Sequence, residues 1–280
     1  MISILLAIKN ETKNLYNFLT FLKKQSNQNF ELIIVDHSDN CKSLNFIKNY
    51  KGIKNLKIFK LKNSIYLQNK RGAQVNQAFL HSKGSIIFFP DSDMYCSINL
   101  LNEINKKMLF SKSMCVKEQI IGKGLYGKFR NFERYFYTNT VIDAPRVLKR
   151  NLYNSIGGFD NNIDFGADDW DLAKKIKNKN IKSIVTKNVV YHNEIDLNFI
   201  EVLKKKKNYS NNFNKYINKW GKKDKDIKKQ FGIYYRFLGV FIENRKKKIF
   251  LIKNLNLYFI FFLNKFLVGL FFLFRRRHGK

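Results

Sequence analysis

Three clusters of carboxylates stand in this sequence where side chains can reach a ligand. Asp36 and Asp39 lie in Val35-Asp36-His37-Ser38-Asp39, Asp91 and Asp93 in Pro90-Asp91-Ser92-Asp93, and Asp168, Asp169 and Asp171 in Asp168-Asp169-Trp170-Asp171-Leu172. Such groups supply hard oxygen ligands for a divalent cation, acceptors for hydroxyl and N–H groups, or a base for an attacking hydroxyl. Taken singly, each Asp also reads as a turn former or a helix cap. Their chemistry therefore depends on whether the fold gathers them.

The elements around them indicate that it does. Short β-branched or aromatic runs alternate with stretches of helical spacing over the first 90 residues, which is α/β organisation. The pattern predicts strands at Ile2–Ile8, Glu31–Val35, Leu56–Leu61 and Ser85–Phe89, with helices at Leu15–Lys24, Ser43–Tyr50 and Gln68–His81 between them. Two of these strands run straight into acidic clusters. In an open parallel sheet the carboxyl ends of the strands line the ligand crevice, so Asp36, Asp39, Asp91 and Asp93 are expected on one edge although some 55 residues separate the pairs.

Further along, helices are expected at Asn99–Lys107 and Asn151–Ile156, and strands at Ile181–Val185 and Val189–His192. Gly122–Asn139 reads as a glycine-punctuated loop whose aromatic and basic residues suit an acceptor channel. Asp168, Asp169 and Asp171 stand at a helix start, where the positive end of the dipole favours carboxylates.

Composition limits the rest. With 280 residues, 45% hydrophobic and 27 Phe, the chain buries enough surface to fold without metal or disulfide staples, and it is too apolar for disorder. Three cysteines without C-x-x-C spacing and an opening apolar run too short for a signal peptide point to a reducing compartment. A formal charge of +32 calls for an anionic partner: nucleic acid, phospholipid or a phosphorylated substrate. The aromatic residues cluster in the tail instead of interleaving with Lys and Arg, which argues against nucleic acid.

That tail is a second region. Phe231–Ile242 and Leu255–Phe274 are strongly apolar, and Arg245–Lys248 and Arg275–His278 flank the latter with positive charge. Twenty residues suffice for a bilayer crossing, but Asn256, Asn264 and Lys265 interrupt them. Monotopic insertion into one leaflet is the favoured reading. Lys204–Lys207 reads as a basic border to the site mouth or as a solvated lysine face.

The run Gly84–Met94, with its strand leading into D-x-D, resembles the GT-A-fold glycosyltransferases, most closely the inverting family-2 enzymes. Further pieces follow in the family's order: Ile2–Glu11 with its N-E pair, the Val35–Asp39 turn, Arg71–Asn76 on the helix before the D-x-D strand, Gly157-Gly158-Phe159-Asp160, Asp168–Leu172, and His192-Asn193-Glu194. The chain departs from the pattern at Ala7-Ile8-Lys9 (family P-T-Y), at Val75 and Gln77 (Arg and Gly), and at Asp168 (Glu). The likeness covers roughly residues 1–220 and, with the apolar tail, is similar to membrane-associated enzymes acting on lipid-linked acceptors, polyprenyl-phosphate mannosyl- and glucosyltransferases among them.

The resemblance implies a GT-A domain over residues 1–220 with a mixed, mainly parallel sheet, followed at 221–280 by basic, apolar, membrane-associated helices. It implies a nucleotide-sugar donor, UDP- or GDP-linked, held by Glu11, Asp36, Asp39, Arg71, Asn76, Asp91, Ser92 and Asp93. Mn²⁺ or Mg²⁺ would be bound by Asp93 with help from Asp91 and His192, although His192 equally reads as a strand-end core residue. Asp169 is the expected base, with Asp168 beside it. The expected partners are a lipid-linked, polyprenyl-phosphate or glycan acceptor and the cytoplasmic face of the cell membrane; no nucleic acid is expected, and homo-oligomerisation is left open. A nucleotidyltransferase on a related α/β fold and a basic nucleic-acid-binding protein are the alternatives; the former lacks a G-x-x-x-x-G-K phosphate loop.

Overall fold

The computed structural model describes residues 1–61, 70–201 and 213–278, so the Lys204–Lys207 run lies outside the described residues. The chain forms two compact units, one made of residues 1–119 and 144–193, the other of residues 120–143 and 194–280.

The first unit is built on an eight-stranded sheet in the order β3-β2-β1-β4-β7-β6-β8-β5. Its parallel part comprises β1 (Ile2–Ile8), β2 (Phe30–Asp36), β3 (Leu56–Lys60) and β4 (Ile86–Phe88). β2 is buried along its whole length and β1 at all but one position, as their largely apolar sequence suits strands covered on both faces. Helix α1 (Lys13–Lys23) buries Leu15, Phe18, Leu19 and Leu22, one face at helical spacing. Helix α2 spans Lys42–Lys48, and α3 (Arg71–Leu80) adds Val75 and Ala78 to a core with Leu5, Ile33, Ile87 and Phe89.

β5 (Met94–Cys96), β6 (Ser113–Ile121), β7 (Val147–Lys149) and β8 (Ile184–Asn193) complete the sheet, with β4–β7, β6–β7 and β5–β8 antiparallel. The sequence pattern does not mark β5, β6 or β7. The two strands expected between 181 and 192 are one continuous strand, in which the Lys187 and Asn188 amides donate to Glu103 of helix α4 (Leu100–Lys107). Helix α7 covers Asp168–Asn178 and opens at the acidic cluster as expected. A short helix, α6 (Arg150–Ser155), follows β7.

The second unit corrects another expectation. Gly122–Asn139 is not a loop, for Gly124–Tyr137 forms helix α5. Tyr126, Phe129, Phe132 and Phe136 recur every three or four residues and are buried against Phe241 and Phe261. The unit also contains α8 (Phe213–Trp220), α9 (Lys225–Phe231), a π-helical turn at Tyr235–Gly239, α10 (Lys248–Lys253) and α11 (Leu255–His278). Among the described residues no single helix is long and apolar enough to cross a membrane; Arg245–Lys253 and Leu255–Leu267 together have the length but meet at 95°. Lys265, expected to interrupt an exposed apolar helix, is buried inside this unit instead.

Candidate active site

Parallel pairing places Ile8 beside Asp36, and β4 joins β1 on its other side. The residues after β1, β2 and β4 therefore emerge at one edge, which gathers Glu11, Asp36, Asp39, Asp91, Ser92 and Asp93.

The β1 and β2 ends are stitched together. Asn10, in the left-handed region at φ 56°, receives a bond from the Asp39 amide at 3.1 Å and donates its side-chain amide to the Asp39 carboxylate at 2.9 Å. That bond, together with Lys9, holds the Asp39 carboxyl below its usual range. Asp36 is fully buried; one oxygen accepts the Ser38 amide at 2.8 Å and the other has no hydrogen-bond partner, with Lys60 Nζ 3.7 Å from it. A buried acceptor without a hydrogen-bond partner at the carboxyl edge of the sheet suits an N–H or hydroxyl. Glu11 accepts from Asn14 at 3.1 Å.

The D-x-D turn sends its two carboxylates to different partners. Arg71, the first residue of α3, donates from Nε to Asp91 at 2.5 Å, from Nη2 to the Phe89 carbonyl at 3.2 Å and from Nη1 to Asp169 at 3.1 Å, with Asp168 at 3.6 Å. Arg146 precedes β7, and antiparallel pairing with β4 sets it opposite Phe89, whose amide bonds the Arg146 carbonyl. Its guanidinium lies 3.3 Å from Asp91, 3.6 Å from Glu118 and 3.8 Å from Asp169. Burial alone would raise the Asp91 carboxyl, but Arg71 and Arg146 beside it hold it at about 2.

Asp93 turns the other way. β5 pairs with β8 so that Met94 opposes His192, which brings His192 Nε2 to 3.4 Å from Asp93 Oδ2; Nδ1 lies 3.2 Å from Glu118. Burial would lower the imidazole, but bonds to Asp93 and Glu118 push it up to about 9. Asp93 Oδ1 is buried and without a hydrogen-bond partner. An orphaned carboxylate oxygen beside an imidazole whose far nitrogen is fixed by a carboxylate fits a divalent cation. Asp91 does not join this pair, since both its oxygens face guanidinium groups. Among the described residues no three His, Cys, Asp or Glu side chains form a metal-holding group.

At the start of α7 the two neighbouring carboxylates differ. Asp168 is buried, accepts the Gly166 amide at 3.0 Å, and is pushed up to about 7 by burial and then by Asp169, against the pull of Arg71. Asp169 keeps an accessible carboxylate held by Arg71 and faced by Arg146. Of the pair, Asp169 alone is both accessible and anchored, as proton transfer requires.

Asn76, expected at the donor, spends its amide elsewhere. It donates to the Phe159 carbonyl at 2.9 Å and to Asn161 at 2.8 Å, and accepts from Tyr153 Oη at 2.7 Å and the Phe159 amide at 3.0 Å. It thus fixes the Gly157–Asp160 turn, where Gly158 has φ 59° and a Cβ would stand 2.5 Å from Asn76 Oδ1. Arg146 and Glu118 are the site residues that sequence reasoning missed. Their signal is faint: one Arg between Pro145 and Val147, and one Glu in a strand of otherwise neutral or basic residues.

The description "Glycosyl transferase family 2" is that of the family model matching residues 3–157. The poly(ribitol-phosphate) β-N-acetylglucosaminyltransferase TarP of Staphylococcus aureus is 30% identical over 226 residues, 75% of this chain and 59% of TarP. The chain spans 17% and 59% of the lengths of two curated relatives it matches. Among solved structures, S. aureus TarS 1–349 in complex with UDP is similar at TM-score 0.56 and 20% identity, over 76% of this chain and 65% of that one. The mannosyltransferase PcManGT of Pyrobaculum calidifontis, in complex with GDP-Man and Mn²⁺, is similar at TM-score 0.66 and 15% identity, over 100% and 88%. These two likenesses show the GT-A fold.

Proposed function

The chain belongs to glycosyl transferase family 2, and from that premise we propose a metal-dependent inverting glycosyltransferase. It takes a sugar from a UDP- or GDP-linked donor to a lipid-linked or glycan acceptor at the cytoplasmic face of the cell membrane, with residues 221–280 as its membrane-associated region. The observation that carries the reading is Arg71, whose one guanidinium joins the D-x-D carboxylate Asp91 to the base Asp169, 78 residues further on.

Asp36, Glu11 and Asp39 offer acceptors for the nucleobase and ribose. Asp93 and His192 would hold Mn²⁺ or Mg²⁺, which when bound offsets the charge developing on the leaving diphosphate. Asp169 takes the proton of the acceptor hydroxyl as its oxygen attacks opposite the leaving group, and an acceptor that is already an ionised phosphate needs Asp169 only for positioning. Arg71 and Arg146 hold the Asp169 carboxylate in place. The complexes of TarS with UDP and of PcManGT with GDP-Man support both nucleotide classes. A phosphate-rich glycan in place of a lipid-linked acceptor is favoured by one observation: TarP acts on poly(ribitol phosphate), and a charge of +32 suits a polyanion.

Calorimetry of UDP and GDP binding with and without Mn²⁺, beside Asp93→Ala, tests the donor site. Metal-dependent binding of one nucleotide, lost in the variant, is the expected result; no binding of either by folded protein sinks the reading.

A further inference from the structure

Helix α11 is inverted relative to an ordinary surface helix. Its polar residues Asn264 and Lys265 are only 4% and 7% exposed, whereas Phe259, Phe262 and Phe266 are 62%, 42% and 51% exposed. A charge network inside the second unit fixes this rotation. Lys265 Nζ lies 2.5 Å from Glu133, and its ammonium sits over the rings of Phe261 and Tyr137. Glu133 is paired in turn with Arg130, which reaches both oxygens of Glu194 at 2.7 Å. Turning the helix to hide its phenylalanines would strand Lys265 and Glu133 away from one another, a costly state for buried charges.

The outward stripe Leu255, Phe259, Phe262, Phe266 follows steps of four, three and four residues, and the exposed Ile249 and Ile252 extend the apolar surface onto α10. Arg245, Lys246, Lys248 and Lys253 are exposed along the same bent pair, and no Asp or Glu follows Glu243 in the chain. An apolar face with exposed cations along the same helices complements an anionic leaflet, with rings in the acyl boundary and cations at the phosphates. A second copy of the chain would oppose it with charge of the same sign.

We propose that this face of α10 and α11 docks on an anionic lipid leaflet and lies in its interface, with the Lys265–Glu133 pair as the lock that keeps the apolar stripe outward. The inference rests on the membrane-associated reading above and assigns it a face, a rotation and a lipid class.

The test is flotation of the full chain with phosphatidylcholine vesicles and with vesicles one-third phosphatidylglycerol, Mn²⁺-dependent nucleotide binding being measured on the same samples. Wild type is expected to float with the anionic vesicles and to be released by salt. Phe262→Asp with Phe266→Asp lowers the partition coefficient by at least about tenfold and leaves the circular dichroism and nucleotide binding unchanged. Equal flotation of that variant overturns the assigned face while the membrane-associated reading survives. No flotation of wild type overturns both, and so does a wild-type dimer indifferent to vesicles that the same two changes split. Flotation without nucleotide binding overturns the transferase reading alone.

Discussion

Arg146 Nη1 lies 3.3 Å from Asp91 Oδ2, so the first carboxylate of the D-x-D turn is closed from one side by a residue 55 positions further along the chain. With Arg71 on the other side, Asp91 is a hub for two guanidinium groups and not a free ligand. Removing Arg146 leaves Asp91 and Asp169 with one cation between them. Arg146→Ala is expected to lower kcat/KM by roughly 10- to 100-fold, and Arg146→Lys to recover little, since an ammonium cannot reach three carboxylates. Steady-state rates for both variants, with melting curves to exclude unfolding, decide this.

On the proposed reading Asp169 is the base and Asp93 holds the metal. Asp169→Asn keeps the shape of the side chain but not its basicity, and should cost roughly 100- to 10,000-fold in kcat with nucleotide affinity unchanged. Asp93→Ala should remove metal-dependent nucleotide binding. Full activity in both variants would end the assignment.

Asp168 makes stability depend on pH. Its folded-state carboxyl is raised to about 7 from an ordinary value of 3.8, so the stabilisation from its bound proton is complete below about pH 4 and is lost as pH rises through 7. Wild type should therefore lose a few degrees of melting temperature, roughly, between pH 5 and pH 8. Asp168→Asn should flatten the part of that interval below about pH 6.5, above which the raised His192 adds a fall of the same sign. The same slope in the variant would assign the effect to another group.

Gly158→Ala tests the turn that Asn76 holds. The added methyl would stand 2.5 Å from Asn76 Oδ1 in a backbone at φ 59°, which should destabilise the protein by about 1–3 kcal/mol. Asn76→Ala, which gives up four hydrogen bonds, should do similar damage. Urea titrations of both, read against donor affinity, separate a role in the fold from a role in binding.

The parallel part of the sheet was legible because β1 and β2 are mostly apolar runs and because β2 and β4 lead into carboxylates, which marks both the strands and the edge where they act. β5 and β7 were not, for three residues carry no period and their pairing is set by distant partners. In α5, the glycines at 122, 124 and 127 masked the spacing of Phe129, Phe132 and Phe136. Arg146 was invisible for a different reason. Its role comes from antiparallel alignment with β4 and not from its neighbours in sequence. Lys265 misled because a lone cation in an apolar run marks either an interruption or a buried partner, and Glu133 is 132 residues away.

The Lys265–Glu133 pair has a practical corollary for anyone wishing to simplify this molecule. Cutting off an apolar C-terminal helix is a common route to a more tractable version of an enzyme. Here such a cut before Leu255 would take away the ammonium that neutralises Glu133 and the Phe261 ring packed beside Phe129, Tyr137 and Phe241. The trimmed protein would present a raw aromatic wound in place of the surface it was meant to lose, and would stick to itself more readily than the whole chain.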